Sequence, residues 1–167
     1  MNIIESERLC FRLMENGDED ALSAIWCDSE TMRFCGGAVK KERIPKIIEY
    51  DRAEYEKHGN AVFALIQKTD NKFIGICGGK LEADPARVEV IIHLAKEAFG
   101  KGYATEAVSA YVSWLRETKK ASLVYASAHP DNCASIGMLR KCGFIHKGFK
   151  QFEDTGFIDE PYFELEL

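Results

Sequence analysis

Residues 99–107 read Phe99-Gly100-Lys101-Gly102-Tyr103-Ala104-Thr105-Glu106-Ala107, and this segment is the most informative part of the chain. It follows a predicted strand and opens a predicted amphipathic helix. Its two glycines lack the Cβ atoms that would keep a ligand away from the backbone. The first N–H groups of a helix have no partner within the helix, and the helix dipole favours an anion beside them. The segment therefore predicts a loop that holds a phosphate or diphosphate through main-chain amides.

Two common nucleotide-binding motifs do not fit this sequence. A P-loop requires G-x-x-x-x-G-K-[ST], but Gly78-Gly79-Lys80-Leu81 ends in Leu and lacks the earlier Gly. The dinucleotide fingerprint G-x-G-x-x-G belongs to the first strand of a parallel sheet, whereas the glycine loop comes late in the chain, after antiparallel hairpins. The remaining alternative is an ordinary tight connection between a strand and a helix.

Hydrophobic periodicity on either side of the loop predicts one mixed α/β domain over residues 1–167. The early strands follow each other in hairpin order, with a turn at Asp84-Pro85. The later strands alternate with helices, which predicts parallel pairing. The predicted strands are 7–13, 61–67, 73–81, 88–94, 123–128, 144–149 and 162–167, and the predicted helices are 18–26, 45–57, 104–119 and 134–142.

Composition excludes several classes of protein. The 167 residues, 46% of them apolar, suffice for one hydrophobic core. No stretch approaches the roughly 20 apolar residues of a membrane span, and residues 1–8 do not resemble a secretory signal, so we expect a cytoplasmic protein with no membrane partner. The net charge of −5 argues against nucleic acid as a partner.

The six cysteines form no C-x-x-C pair and have no His at zinc-ligand spacing, so we predict no metal site. We expect buried, reduced thiols. Cys133 is the exception because it lies in a segment with a candidate function, but no His or Asp is paired with it in the sequence, which argues against a nucleophile.

Four motifs in order resemble the GNAT acetyltransferase superfamily, and in particular its ribosomal-protein N-terminal acetyltransferase branch. The loop resembles the coenzyme A diphosphate loop [QR]-x-x-G-x-[GA], with Phe99 in place of Gln or Arg, and an aromatic residue there is similar to that branch. The other segments are Glu7-Arg8-Leu9-Cys10-Phe11-Arg12, Trp26-Cys27-Asp28-Ser29-Glu30-Thr31-Met32-Arg33-Phe34, and Asn132-Cys133-Ala134-Ser135-Ile136 followed by Lys141-Cys142-Gly143-Phe144.

This resemblance implies an α+β fold with a mixed sheet of six to seven strands and about four helices. Its parallel middle strands, 88–94 and 123–128, would splay apart around acetyl-CoA. The donor would transfer its acetyl group directly to an amine in a ternary complex, without a metal. The implied coenzyme site comprises His93, Leu94, Ala95, Phe99, Gly100, Lys101, Gly102, Tyr103, Ala104, Thr105, Asn132 and Ser135.

An amine acceptor must lose a proton before it attacks the thioester, so the site needs a base or a water chain. Glu89 is the first candidate, because the family places an acidic residue on this strand and burial among apolar neighbours would raise its pKa. A solvated Glu or a structural ion pair is the alternative. His93 lies on the same face and is a second candidate base, although packing is the commoner role of such a His. Glu106, in the first turn of a helix, is expected to favour the helix dipole.

The proton donor for the leaving thiolate is less obvious. Many family members use a Tyr at the position of Leu139, so the usual acid is absent. The resemblance suggests Ser135 instead, although a Ser at a helix start often only bonds the backbone. Asn132 resembles a residue that binds the pantetheine arm, and it is also a candidate N-cap.

The acceptor is the least defined part of the site. Residues 26–37, with Trp26, Met32 and Phe34, and residues 149–162 are expected to shape its pocket. A protein or peptide N-terminus and a small amine both remain open, as do a monomer and a homodimer. The alternative function is a catalytically silent acyl-CoA-binding or regulatory module.

Overall fold

A single sheet of eight strands organises the described part of the chain, residues 1–81, 84 and 86–167 of a computed structural model. Pro85, half of the predicted turn Asp84-Pro85, lies outside these residues. The strands are β1 (Ile4–Glu5), β2 (Leu9–Arg12), β3 (Val62–Gln67), β4 (Lys72–Leu81), β5 (Arg87–Leu94), β6 (Leu123–Ser127), β7 (Ile145–Lys150) and β8 (Glu160–Glu166). The seven predicted strands are confirmed, and the eighth, β1, is too short to produce a periodic pattern.

The strand order is β1-β2-β3-β4-β5-β6-β8-β7, and β5–β6 is its one parallel pair among the described residues. That parallel pair agrees with the prediction. The predicted parallel pairing does not extend to β6 and β7, because β8 lies between them and is antiparallel to both. Burial explains the insertion: Tyr162 and Phe163 of β8 are buried, whereas β7 is largely exposed and carries lysines suited to a sheet edge.

Four helices cover the two faces of the sheet, as predicted. They are α1 (Glu19–Trp26), α2 (Ile44–His58), α3 (Tyr103–Thr118) and α4 (Cys133–Lys141). Helices α1 and α2 pack with Ile76 in one apolar cluster, while α3 and α4 pack with Phe63 and Val124 in a larger one. Strand β5 alternates between the two sides, with Val88 and Val90 in the larger cluster and Ile91 against the smaller.

The two parallel strands separate soon after they pair. Their register covers only Arg87↔Leu123, Val88↔Val124 and Glu89↔Tyr125, whereas β5 stays paired with β4 as far as Leu94. The rest of β5 therefore presents a backbone edge without a strand neighbour on the β6 side. This is the splayed cleft that the resemblance implies.

The cysteines differ from the expectation of buried thiols. Cys77 is buried, but Cys35 and Cys133 are exposed, and none of the six cysteines forms a disulfide. Both exposed thiols line the cleft described below. Within the described residues, no cluster of three or more His, Cys, Asp or Glu side chains is arranged to hold a metal ion, and no helix is both long and apolar enough to cross a membrane.

Candidate active site

The glycine loop adopts a conformation that few other residues tolerate. Gly100 has φ +71° and Gly102 has φ +81°, both in the left-handed region. Gly102 caps α3, and the N–H of Glu106 bonds to its carbonyl at 3.1 Å. The amides of residues 103–105 therefore have no acceptor within the helix. A Cβ on Gly100 would meet no protein atom within 4 Å, so the loop opens onto free space.

Arg8 fixes this loop from a distant part of the chain. Its Nη1 donates to the carbonyl of Lys101 at 3.0 Å, its Nε donates to Glu106 Oε2 at 2.6 Å, and its guanidinium lies 4.3 Å from the centre of the Tyr103 ring. In the sequence, Arg8 stands out only as part of a family motif. The contacts show that it connects the β1–β2 turn to the start of α3.

Glu106 lies in the first turn of α3, as predicted, and it also makes contacts that the sequence did not indicate. Its Oε1 accepts hydrogen bonds from Ser6 Oγ and from the backbone N–H of Arg8, both at 2.7 Å, so it binds a neighbouring turn. Burial alone would raise the pKa of Glu106, but the hydrogen bonds from Ser6 and Arg8 outweigh it and lower the pKa. A charged carboxylate thus holds the glycine loop in place.

A cavity of about 860 Å³ adjoins the loop, a size suited to a large ligand. Ala95 and Lys101 do not line it, and Lys101 contributes only its carbonyl to Arg8. Met32 and Phe34, which were assigned to the acceptor, line it as well. The predicted coenzyme-binding residues that line it are His93, Leu94, Phe99, Gly100, Gly102, Tyr103, Ala104, Thr105, Asn132 and Ser135.

Helix α4 places two further candidates beside this cavity. Asn132 Oδ1 accepts from the backbone N–H of Ser135 at 3.2 Å, which confirms Asn132 as the N-cap. The helix is followed by Gly143 with φ +87°, the predicted left-handed position. Ser135 lines both the large cavity and a second, smaller one, as Asn132 does.

The second cavity, of about 290 Å³, lies on the other side of the cleft. Glu89 lines it at the last residue pair before β5 and β6 separate. Among the described residues, Glu160 and Lys80 also border it, and Leu139, at the position where the resemblance implies a Tyr, is buried in the wall without a proton to donate. Two carboxylates and one ammonium group thus surround a small space.

His93 is a poor base in this environment. Its Nδ1 accepts a hydrogen bond from Trp26 Nε1 at 3.0 Å, which assigns the proton of the neutral ring to Nε2. Burial, assisted by the charge of Lys80, lowers the pKa of His93 to about 4. The ring is therefore neutral at pH 7. Trp26, expected to contact the acceptor, is itself buried, lines neither cavity and orients His93.

The segment after α1 forms one wall of both cavities. Lys96, just beyond β5, contacts Asp28 at 2.7 Å and Glu30 at 2.8 Å, and the hydrogen bond from Lys96 is the main reason that the pKa of Asp28 is lowered. The Phe34 ring lies 4.7 Å from that of His129. These contacts join sequence positions too far apart for local patterns to indicate them.

Comparison with known proteins agrees with this geometry. Residues 8–145 match the family model of the acetyltransferase (GNAT) domain. An uncharacterized N-acetyltransferase, p20 of Bacillus licheniformis, is 28% identical over 155 residues, 89% of this chain and 85% of that protein.

Two solved structures share the fold. A GNAT-family acetyltransferase from Bacillus anthracis superposes with a TM-score of 0.87 at 23% identity, over 98% of this chain and 97% of that one. The ribosomal L7/L12 acetyltransferase RimL in complex with coenzyme A gives 0.86 at 15% identity, over 100% and 98%. Because the family model spans most of its length, the chain belongs to the GNAT acetyltransferase family and is an acetyl-CoA-dependent acyltransferase.

Proposed function

We propose that the chain transfers the acetyl group of acetyl-CoA to the nitrogen of a primary amine, in the cytoplasm. One observation carries the proposal: the cavity beside the start of α3 shares lining residues, Ser135 among them, with a second cavity that Glu89 and Glu160 border. The first cavity suits a large anionic donor and the second a small basic acceptor.

The residues present fit the donor. The helix start and Gly100 would bind its diphosphate, and the unpaired edge of β5 near His93 and Leu94 would pair with its pantetheine arm as an added strand does. That a related fold, RimL, was solved with coenzyme A supports this assignment. Asn132 is placed to contact the same arm while it caps α4.

Two side chains are assigned to proton transfer. Glu89 accepts the proton of the attacking amine, directly or through water, and the Ser135 hydroxyl donates a proton to the sulfur as the carbon–sulfur bond breaks. Donor and acceptor would occupy the two cavities together, so no covalent acetyl-enzyme is required. Phe34 lines both cavities, and Met32 lines the larger one.

The acceptor is a small amine or the N-terminus of a protein or peptide. Because the second cavity measures only about 290 Å³, just the end of a peptide would enter it. RimL, by its name, acetylates a ribosomal protein, which favours the peptide. The acidic side chains suit both acceptors.

A silent acyl-CoA-binding module is the second candidate, favoured by Leu139, which has no proton to give. The test is incubation with acetyl-CoA and a panel of amines and N-terminal peptides, with free coenzyme A followed by chromatography. We expect amine-dependent release of coenzyme A and intersecting double-reciprocal plots, the pattern of a ternary complex. Tight acetyl-CoA binding without amine-dependent release would establish the silent module instead.

A further inference from the structure

Glu160, the first residue of β8, is an unusual buried acid. Glu160 is only 4% exposed, and its Oε1 has no hydrogen-bond partner among the described residues. Burial of an unpaired carboxylate oxygen is unfavourable. The residue lines the second cavity, so a cation bound in that cavity would offset the cost of burying this carboxylate.

The strand register places Glu160 near the expected position of the thioester. Tyr162 pairs with Ser127, and Ala128 N–H bonds to the Pro161 carbonyl at 3.2 Å, so Glu160 lies just beyond the end of β6. Extending the β5–β6 register from Val88↔Val124 brings residue 92 level with residue 128. Glu160 thus flanks the open end of the cleft, whereas Glu89 lies at its closed end.

Charge favours a cation in this space. The second cavity is bordered by the carboxylates of Glu89 and Glu160 and by the ammonium group of Lys80, together with His93 and His129. Lys80 lies directly opposite Glu89 in the β4–β5 register, on the far wall from β8. Among the described residues that border this cavity, the acidic side chains therefore outnumber the lysines by two to one.

We propose that Glu160 binds the ammonium group of the acceptor and so selects primary amines that are cations at neutral pH. This inference rests on the proposed function and narrows its substrate class. Phe34, Leu139 and Phe152 add apolar surface to a wall that also carries polar side chains such as Ser127 and Thr155. A free alkylamine and a peptide N-terminus share this chemistry.

The decisive comparison uses two amines of similar size, benzylamine, a cation at neutral pH, and aniline, which is uncharged. In Glu160→Gln we expect kcat/KM for benzylamine to fall about 10- to 100-fold, because a hydrogen bond to a charged group usually contributes this much to binding. We expect kcat/KM for aniline to change less than about 3-fold. The matched control is Glu166→Gln, the same change at the exposed end of the same strand. Equal losses for both amines, or no loss for benzylamine, would overturn the proposal.

A binding measurement separates this proposal from the proposed function. With coenzyme A present, benzylamine or a phenylalanine-terminated dipeptide amide should raise the melting temperature of the parent and leave Glu160→Gln unchanged. The compound that gives the larger rise in melting temperature shows whether a free alkylamine or a peptide N-terminus fits the cavity better. Amine binding without acetyl transfer would contradict the proposed function and support the role of Glu160, while a parent that responds to neither amine contradicts that role.

Folding of the variant is a separate control. Because Gln keeps the shape and removes a buried charge, Glu160→Gln should melt at or above the parent temperature. If it does not fold, Glu160→Met, which removes the unpaired oxygen altogether, serves for the same measurements, and a preference for benzylamine that survives in it refutes the assignment.

Discussion

Glu89 occupies the point where two paired strands become a cleft, and this position distinguishes it from the other acids of the sheet. It faces a small cavity from the last residue pair of β5 and β6. A carboxylate there can reach a nitrogen that approaches the thioester from the acceptor side. Its neighbour His93 cannot replace it near pH 7, because its pKa is lowered to about 4.

We predict that Glu89→Gln lowers kcat by about 100- to 10,000-fold, the usual contribution of a general base. The KM for acetyl-CoA should change less than about 3-fold, because the glycine loop is untouched. Initial rates at varied acetyl-CoA and saturating amine measure both quantities. Glu97→Gln, an exposed acid on the turn after β5, is the control. A variant as fast as the parent would remove Glu89 as the base and leave a water chain or another carboxylate.

At the scale of elements, one carboxylate connects the first two strands to α3. Glu106 accepts three hydrogen bonds, from Ser6 Oγ, Arg8 N and Arg8 Nε. We predict that Glu106→Ala lowers the free energy of unfolding by about 1–3 kcal/mol, because partly buried donors lose their acceptor. Urea denaturation measures the change.

The control for Glu106 is another ion pair of the chain. Asp20 bonds to Lys41 at 3.0 Å, but its side chain is 93% exposed. Asp20→Ala should change the free energy of unfolding by less than about 0.5 kcal/mol, as surface pairs do. If the two variants lose equal stability, the Glu106 contacts are ordinary surface interactions and do not hold the loop.

A buried carboxyl group where α2 meets β3 makes the stability of the protein depend on pH. Asp51 is buried on α2 and accepts a weak hydrogen bond from Val62 N at 3.4 Å. Burial raises the pKa of Asp51 from 3.8 to about 6, since the bond to Val62 and the charge of Lys80 offset it only in part. Between these two values the unfolded chain has released this proton while the folded chain keeps it.

The contribution of Asp51 to the free energy of unfolding is therefore fully present below about pH 4 and is lost as the pH rises through 6. We predict that, between pH 4 and pH 7, the free energy of unfolding of Asp51→Asn rises by about 3 kcal/mol relative to that of the parent. Urea denaturation of both proteins at the two pH values measures this difference. A difference that stays constant between them would show that Asp51 has an ordinary pKa in the folded protein.

At the scale of the whole molecule, periodicity predicted the strands and helices within a few residues, because each buries one face against its neighbours. The place of β8 was not predictable from pattern, since it depends on which of two adjacent strands is the more apolar. The glycine loop and the Asn132 cap were found because they depend on local backbone geometry.

The parts of the site that the sequence did not indicate depend on long-range contacts. Trp26 and His93 are 67 residues apart, and Arg8 and Glu106 are 98 apart. Glu160 lies in a segment without regular periodicity, and its burial follows only from the hairpin of β7 and β8. No local spacing rule detects such pairs. The sequence indicated Glu160 only as one member of residues 149–162, the segment expected to shape the acceptor pocket, and three residues of that segment line the second cavity.

The proposed activity requires a cleft in which the start of a helix and a splayed strand hold acetyl-CoA. A calorimetric titration of acetyl-CoA into the parent, Gly100→Ala/Gly102→Ala and the control Gly17→Ala, a glycine with open space and no left-handed φ, tests it directly. We predict binding by the parent and the control, and at least about tenfold weaker binding by the double variant, because each alanine disfavours the left-handed backbone that aims the amides. Absence of binding by the parent, or equal binding by the double variant, would contradict the account.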